Sequence, residues 1–138
     1  MPDCLFCKMA WKEISSPAVL YENEHVLAFL DIHPRAPGHA LVIPKYHATG
    51  LTDLPDAQSQ ELFSAVKKVA SGILDGLKAD GITIGINHGK AAGQEVPHLH
   101  VHLIPRWEDD GGNSLQSVVM NQPKESLAQI AKKIVIND

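Results

Sequence analysis

Cysteine is scarce in this chain of 138 residues, no excess of positive charge is present, and no long apolar run occurs; each absence excludes a class of protein. The two cysteines sit together in Cys4-Leu5-Phe6-Cys7, a spacing that suits a metal knuckle or a redox pair and staples no fold. No apolar stretch approaches the length of a membrane span, and Met1-Pro2-Asp3-Cys4 lacks the basic and apolar regions of a signal peptide. The expectation is a cytoplasmic protein with no membrane partner. With 12 basic and 16 acidic residues, the formal net charge of -4 provides no basic field to hold a nucleic acid polymer. Neither an internal repeat nor a low-complexity tract interrupts the chain, and 44% apolar with 20% charged residues is ordinary for a globular protein. One domain over residues 1–138 is expected, long enough to bury a real core.

The most informative stretch is Gly93-Gln94-Glu95-Val96-Pro97-His98-Leu99-His100-Val101-His102-Leu103-Ile104-Pro105. Polar and apolar residues alternate with the period of a strand, which predicts His98, His100 and His102 on one face and Leu99, Val101 and Leu103 on the other. Imidazole titrates near neutrality, so a row of three points to metal binding, proton movement or nucleophilic attack.

Around this stretch the pattern predicts a short helix over residues 5–13, stopped at Ser15-Ser16-Pro17, and a hairpin of strands 18–22 and 26–32 around Asn23-Glu24. A strand over 39–44 ends at Pro44, which cannot donate to a ladder. The longest helix opens at Pro55 and Asp56 and runs to about Lys78. Its apolar face combines Leu62, Val66, Val69, Ile73 and Leu77 with Phe63, Ala70 and Leu74, and Gly81 is its expected stop. A further strand covers 82–87, and a Gly-containing loop from His88 to Glu95 delivers the chain to the histidines. Beyond Trp107 the chain is polar and irregular until a weaker helix over 124–135, with Leu127, Ile130, Ala131 and Ile134 in phase.

The histidine alternation, with Gly93-Gln94 before it and Pro105-Arg106 after it, resembles the signature of the histidine triad (HIT) family of nucleotide hydrolases and transferases. The resemblance extends back through Asn87, Gly38-His39-Ala40-Leu41-Val42-Ile43-Pro44-Lys45, Phe29-Leu30-Asp31-Ile32 and Leu5-Phe6, covering about residues 4–107 and leaving 108–138 as a tail. It implies an α+β fold, an antiparallel five-stranded sheet carrying the long helix with short helices at either end, in a homodimer. It also implies His100 as a nucleophile attacking the α-phosphorus of a small nucleotide substrate, His102 as its acid/base partner, and AMP as product. A histidine nucleophile needs no separate strong base, because roughly three quarters of free imidazoles are neutral at pH 7. By the same resemblance Asp31 contacts ribose, Phe6, Phe29 and Ile32 with Leu5 form the base slot, and His39 supports the triad. The turn Gly93-Gln94-Glu95-Val96 and the Asn87 amide can aim N–H groups at the phosphate.

Glu95 stands where many family members have Ser or Thr. A carboxylate there repels a polyphosphate and favours an amine leaving group, hence phosphoramidate rather than dinucleoside polyphosphate hydrolysis. No organic cofactor is expected. Cys4 and Cys7 with His47 and His98 make a tetrahedral structural Zn2+ set, the arrangement of some bacterial-type HIT proteins, and His98 is then both triad member and metal ligand. The alternatives are two reduced, half-buried thiols; a catalytic zinc held by His98, His100 and His102; and a nucleotide-binding dimer of low turnover.

Overall fold

The computed structural model describes residues 3–16 and 18–138; the expected helix stop at Pro17 lies outside them. A five-stranded antiparallel sheet in the order β1-β2-β3-β5-β4 is built from β1 (Val19–Glu22), β2 (Val26–Leu30), β3 (Ala40–Pro44), β4 (Gly81–Gly85) and β5 (Val101–Arg106). Three α-helices accompany it: α1 (Leu5–Ala10), α2 (Asp56–Leu77) and α3 (Leu127–Lys133). Among the described residues no helix is long and apolar enough to cross a membrane.

The two-residue period of the strands divides the core. Val26 and Ala28 of β2, Val42 of β3 and Leu99, Val101 and Leu103 of the histidine stretch face α2, packing on Leu62, Val66, Val69 and Ile73. Leu27, Phe29, Leu41 and Ile43 point to the other face, where α1 brings Cys4, Phe6, Cys7 and Met9. Strands β2 and β3 are therefore covered on both sides and read as unbroken apolar runs. Because α1 is only six residues long, it covers part of its face and leaves a cleft beside β5 and β4.

Several elements differ from the sequence expectation for identifiable reasons. Helix α2 ends because Lys78 adopts a left-handed conformation (φ 55°) and its N–H returns to the Leu74 carbonyl; Gly81 instead opens β4. Phe63 and Leu77 are exposed on the flank of α2, while Ala65 joins the buried face. The histidine strand begins only at Val101. Pro44 of the neighbouring strand has no N–H to extend the ladder and its carbonyl accepts from the His98 ring, while Leu99 N–H bonds to the Ala48 carbonyl at 2.7 Å. Helix α3 starts at Leu127 because Ser126 and Gln129 form a capping box, and its apolar residues are not buried: Leu127 is 80% and Ile134 64% exposed.

Candidate active site

His98 is fully buried, and its ring is fixed at both nitrogens. Nε2 lies 2.8 Å from the Pro44 carbonyl, which can only accept, so the proton sits on Nε2 and the lone pair on Nδ1. That lone pair faces Cys4 Sγ at 3.2 Å, Cys7 Sγ at 3.5 Å and His47 Nδ1 at 3.2 Å; Cys7 Sγ and His47 Nδ1 are also 3.2 Å apart. All four ligand atoms fall within 4.8 Å of one another. Tetrahedral zinc with N and S ligands places neighbouring ligand atoms about 3.3–3.8 Å apart, so this donor set fits the ion. Burial and the adjacent Cys4 push the Cys7 thiol up to about 11, and burial pushes His98 down to about 4. In the absence of a cation both groups are held in their neutral forms.

The carbonyl of the same His98 holds the next histidine. His100 Nδ1 is 2.8 Å from it and must donate, which leaves the lone pair on Nε2. Phe6 of α1 stands edge-on to this ring, 5.3 Å between centroids, and also meets Phe29 at 5.7 Å and His98 at 5.9 Å. The helix that carries the cysteines thus also braces His100.

His102 lies on β5 opposite Leu41 and Gly85. The Arg35 N–H donates to His39 Nδ1 at 3.0 Å, so the His39 proton is on Nε2, which donates across 3.0 Å to His102 Nδ1. His102 is thereby left with its own proton on Nε2. Burial and the neighbouring His100 and His39 push His102 down to about 4, and burial also lowers His39. Asp31, 3.6 Å from His39 Nε2, completes a cluster with His39 and His102 whose ligand atoms approach within 4.8 Å. A metal there would need a lone pair on the His39 nitrogen that Arg35 forces to hold a proton. Arg35, His39 and His102 form a hydrogen-bonded chain with the Asp31 carboxylate beside it.

These groups open into a cleft of about 1130 Å³. Its lining combines the apolar Leu5, Phe6, Phe29 and Ile32 with Asp31, His39, His100 and His102 and with Asn87, Gly93, Glu95 and Val96. Ile32 is 69% exposed, an open side of an otherwise apolar slot. One Asp31 oxygen accepts from the His33 N–H at 2.9 Å within its own turn. Gly89 and Gly93 hold φ of 89° and 96°, the conformation that bends the loop back toward His98. Among the described residues the N–H groups of Glu95 and Val96 have no hydrogen-bond partner.

Two expected site residues are placed differently. Gln94 lies outside the cleft lining: its side chain accepts from Gly89 N–H at 2.8 Å and donates to the carbonyls of Thr49 at 2.7 Å and Val96 at 3.0 Å, so it braces the loop. His98 also does not line the cleft, because it is buried beneath α1 and occupied at both nitrogens. Sequence reading missed Arg35, whose backbone N–H orders the His39 chain, and the tail residues Ser114, Leu115 and Val118, which line the cleft. A backbone donor leaves no residue-type signal, and the tail has no periodicity to reveal its position.

An antiparallel sheet crossed by one long helix carries two cleft-facing histidines of opposite tautomer with a third buried behind them, an arrangement that can offer one imidazole lone pair and one N–H to the same ligand. The chain belongs to the HIT family: residues 12–109 match the HIT domain. It is 49% identical over 108 residues to an uncharacterised HIT-like protein of Methanocaldococcus jannaschii, covering 78% of this chain and 82% of that one. It is 43% identical over 109 residues to the adenosine 5'-monophosphoramidase of Saccharomyces cerevisiae, covering 79% and 66%. A HIT family protein of Bacillus subtilis has a solved structure that superposes with a TM-score of 0.81 at 36% identity, covering 98% of this chain and 99% of that one.

The tautomer chain makes stability depend on pH with a definite sign. His102 is lowered from 6.5 to about 4 on folding, so its contribution is complete above about pH 6.5 and is lost as the pH falls toward 4. His102→Gln is expected to show a shallower fall in thermal midpoint than the parent between pH 6.5 and 4. Parallel curves would contradict the buried neutral state of His102.

Proposed function

We propose that this chain hydrolyses purine nucleotide phosphoramidates, releasing AMP from the adenosine compounds through a nucleotidyl intermediate on His100. The observation that carries the reading is the His100 Nδ1–His98 carbonyl bond of 2.8 Å, which leaves Nε2 as an unprotonated nucleophile in the cleft. Nε2 attacks the α-phosphorus, a P–N bond to His100 forms, and the bond to the leaving nitrogen breaks. The negative charge of the bound phosphate draws one proton from solvent onto the His102–His39 pair, and the departing nitrogen takes the Nε2 proton of His102, which returns to its neutral form. Water then attacks the same phosphorus, hands a proton back to His102, and His100 leaves as neutral imidazole. Free N–H groups of Glu95 and Val96 serve the phosphoryl oxygens, Asn87 adds its amide, Asp31 takes the ribose hydroxyls and the slot of Phe6, Phe29 and Ile32 takes the base.

The choice of an amine leaving group rests on Glu95, an exposed carboxylate on the cleft rim that disfavours a polyphosphate. The yeast phosphoramidase supports this choice; the 38% identical adenylylsulfatase of Arabidopsis thaliana shows that another α-phosphate leaving group is handled by a relative. Dinucleoside polyphosphate hydrolysis and low-turnover nucleotide binding remain the alternatives. Fast AMP release from an adenosine phosphoramidate, slower release from diadenosine tetraphosphate, and a loss of about 10³-fold or more in His100→Ala are expected. Faster cleavage of the dinucleotide would reverse the substrate assignment, and activity unaffected by His100→Ala would remove the mechanism.

We also propose that Cys4, Cys7, His47 and His98 hold a structural Zn2+. When bound, the ion supplies a closed four-ligand crosslink and leaves no position for substrate. It ties α1 to the histidine stretch and keeps His98 in the tautomer its Pro44 bond requires. Thiols that must stay reduced suit the cytoplasm, which fractionation of the source cells would test. The tail exposes Val119, Met120, Val135 and Ile136, apolar side chains whose burial against a second copy would favour a homodimer. Metal analysis with sedimentation is expected to give one zinc per chain, lost in Cys4→Ser/Cys7→Ser, in a particle of two chains; metal-free protein or a monomer would contradict the respective assignment.

A further inference from the structure

A second concavity, of about 490 Å³, lies between β1 and α2 and shares no lining residue with the histidine cleft. Its volume falls within the roughly 300–1,000 Å³ of a site for one small molecule. One wall is the edge strand β1, with Leu20 and Tyr21, continued by Leu30 at the end of β2 and Gly38 before β3; the other is α2.

Helix α2 also makes the floor. Lys68, Gly72 and Gly76 recur at every fourth residue along one line of the helix, spanning about 12 Å at 1.5 Å per residue. Glycine is the poorest helix former after proline, so two of them inside one helix call for a local reason. Packing supplies none: a Cβ at Gly72 or Gly76 would meet no atom within 4 Å. Their effect is to keep the trough open. At its far end Leu77 closes over Gly38, where a Cβ would strike the Leu77 side chain.

The near end is polar and positively charged. Lys68 Nζ stands 5.6 Å from the centre of the Tyr21 ring and 3.5 Å from its hydroxyl oxygen. That oxygen also accepts from Asn23 Nδ2 at 3.2 Å, so donors occupy both lone pairs and the Tyr21 O–H is left to donate. Among the described residues no carboxylate pairs with Lys68 and no acceptor meets the Tyr21 O–H. An apolar trough that ends in one ammonium and one hydroxyl matches a singly charged anion with an apolar body. A phosphate calls for more charge and more donors than this pair offers, and a neutral apolar molecule leaves both unused.

We propose that this groove binds a small monocarboxylate with an apolar chain, its carboxylate on Lys68 Nζ and the Tyr21 O–H and its chain lying along Gly72 and Gly76 toward Leu77. The site is separate from the His100 chemistry and does not rest on the phosphoramidate reading. The test titrates the full chain with octanoate and with 1-octanol, in the presence and absence of AMP, in the parent, Gly72→Leu, Gly72→Ala, Lys68→Gln and Lys68→Arg. Leucine and alanine are better helix formers than glycine, so the thermal midpoint of both Gly72 variants is expected to hold or rise. Octanoate affinity is nevertheless expected to fall about tenfold or more in Gly72→Leu, where the side chain fills the trough, and by less in Gly72→Ala. Lys68→Gln is expected to weaken octanoate about tenfold and leave 1-octanol unchanged, and Lys68→Arg to restore octanoate. AMP is expected to displace neither. Absence of saturable octanoate binding to the parent, displacement of octanoate by AMP, or an affinity that neither Gly72→Leu nor Lys68→Gln alters overturns the site. A parent that binds no octanoate, with a Gly72→Leu particle of fewer chains, assigns the groove to a second copy and overturns it as well.

Discussion

The rest of the site depends on the fixed ring and backbone of His98. Its Nε2–H is held by the Pro44 carbonyl, its Nδ1 lone pair faces two thiols and a second imidazole, and its own carbonyl sets the tautomer of His100. A buried polar group left without a partner costs about 1–3 kcal/mol, so every bond in this set resists rotation of the ring. Anchoring β3, α1 and the histidine stretch to one side chain therefore determines where the His100 lone pair points. In the proposed mechanism the first histidine of the triad acts through position, and the second presents the reactive nitrogen.

A second chain of hydrogen bonds mirrors the first with opposite polarity. From the Arg35 N–H through His39 to His102, each imidazole accepts on one nitrogen and donates on the other, so a proton is presented where His100 presents a lone pair. The two rings are 5.0 Å apart between centroids and cannot both be charged at low cost. Burial and their mutual repulsion keep His102 neutral in the free protein. In the proposed reaction a negatively charged phosphate entering between them offsets part of that penalty and so couples substrate binding to proton transfer.

Much of this organisation was legible in the residue pattern. Alternation of histidine with aliphatic residues put Leu99, Val101 and Leu103 on one face, which the structure packs against α2, whereas the covering of β2 and β3 on both faces emerges only from the fold. The sequence resemblance pointed to Cys4, Cys7, His47 and His98 as one donor set, and the structure brings their ligand atoms together. What was not legible depends on backbone geometry or on the absence of a period. Nothing in the type of Arg35 announces that its N–H orders His39, and nothing in Gln94 distinguishes a loop brace from a phosphate contact. Lys78 takes a left-handed turn that residue preference assigns to glycine. The stretch directly after Trp107 reads as polar and irregular, yet an Arg106–Asp110 fork folds it back onto the cleft.

In the proposed reaction phosphorus is transferred to one nitrogen of one histidine. Quenching the protein in alkali during turnover of an adenosine phosphoramidate, followed by mass analysis of its peptides, tests this directly. A single adenylyl group on the peptide at His100 is the outcome the geometry requires. Adenylylation at His98 or His102, or AMP formation with no protein-bound adenylyl group under conditions that preserve such a bond, would contradict it.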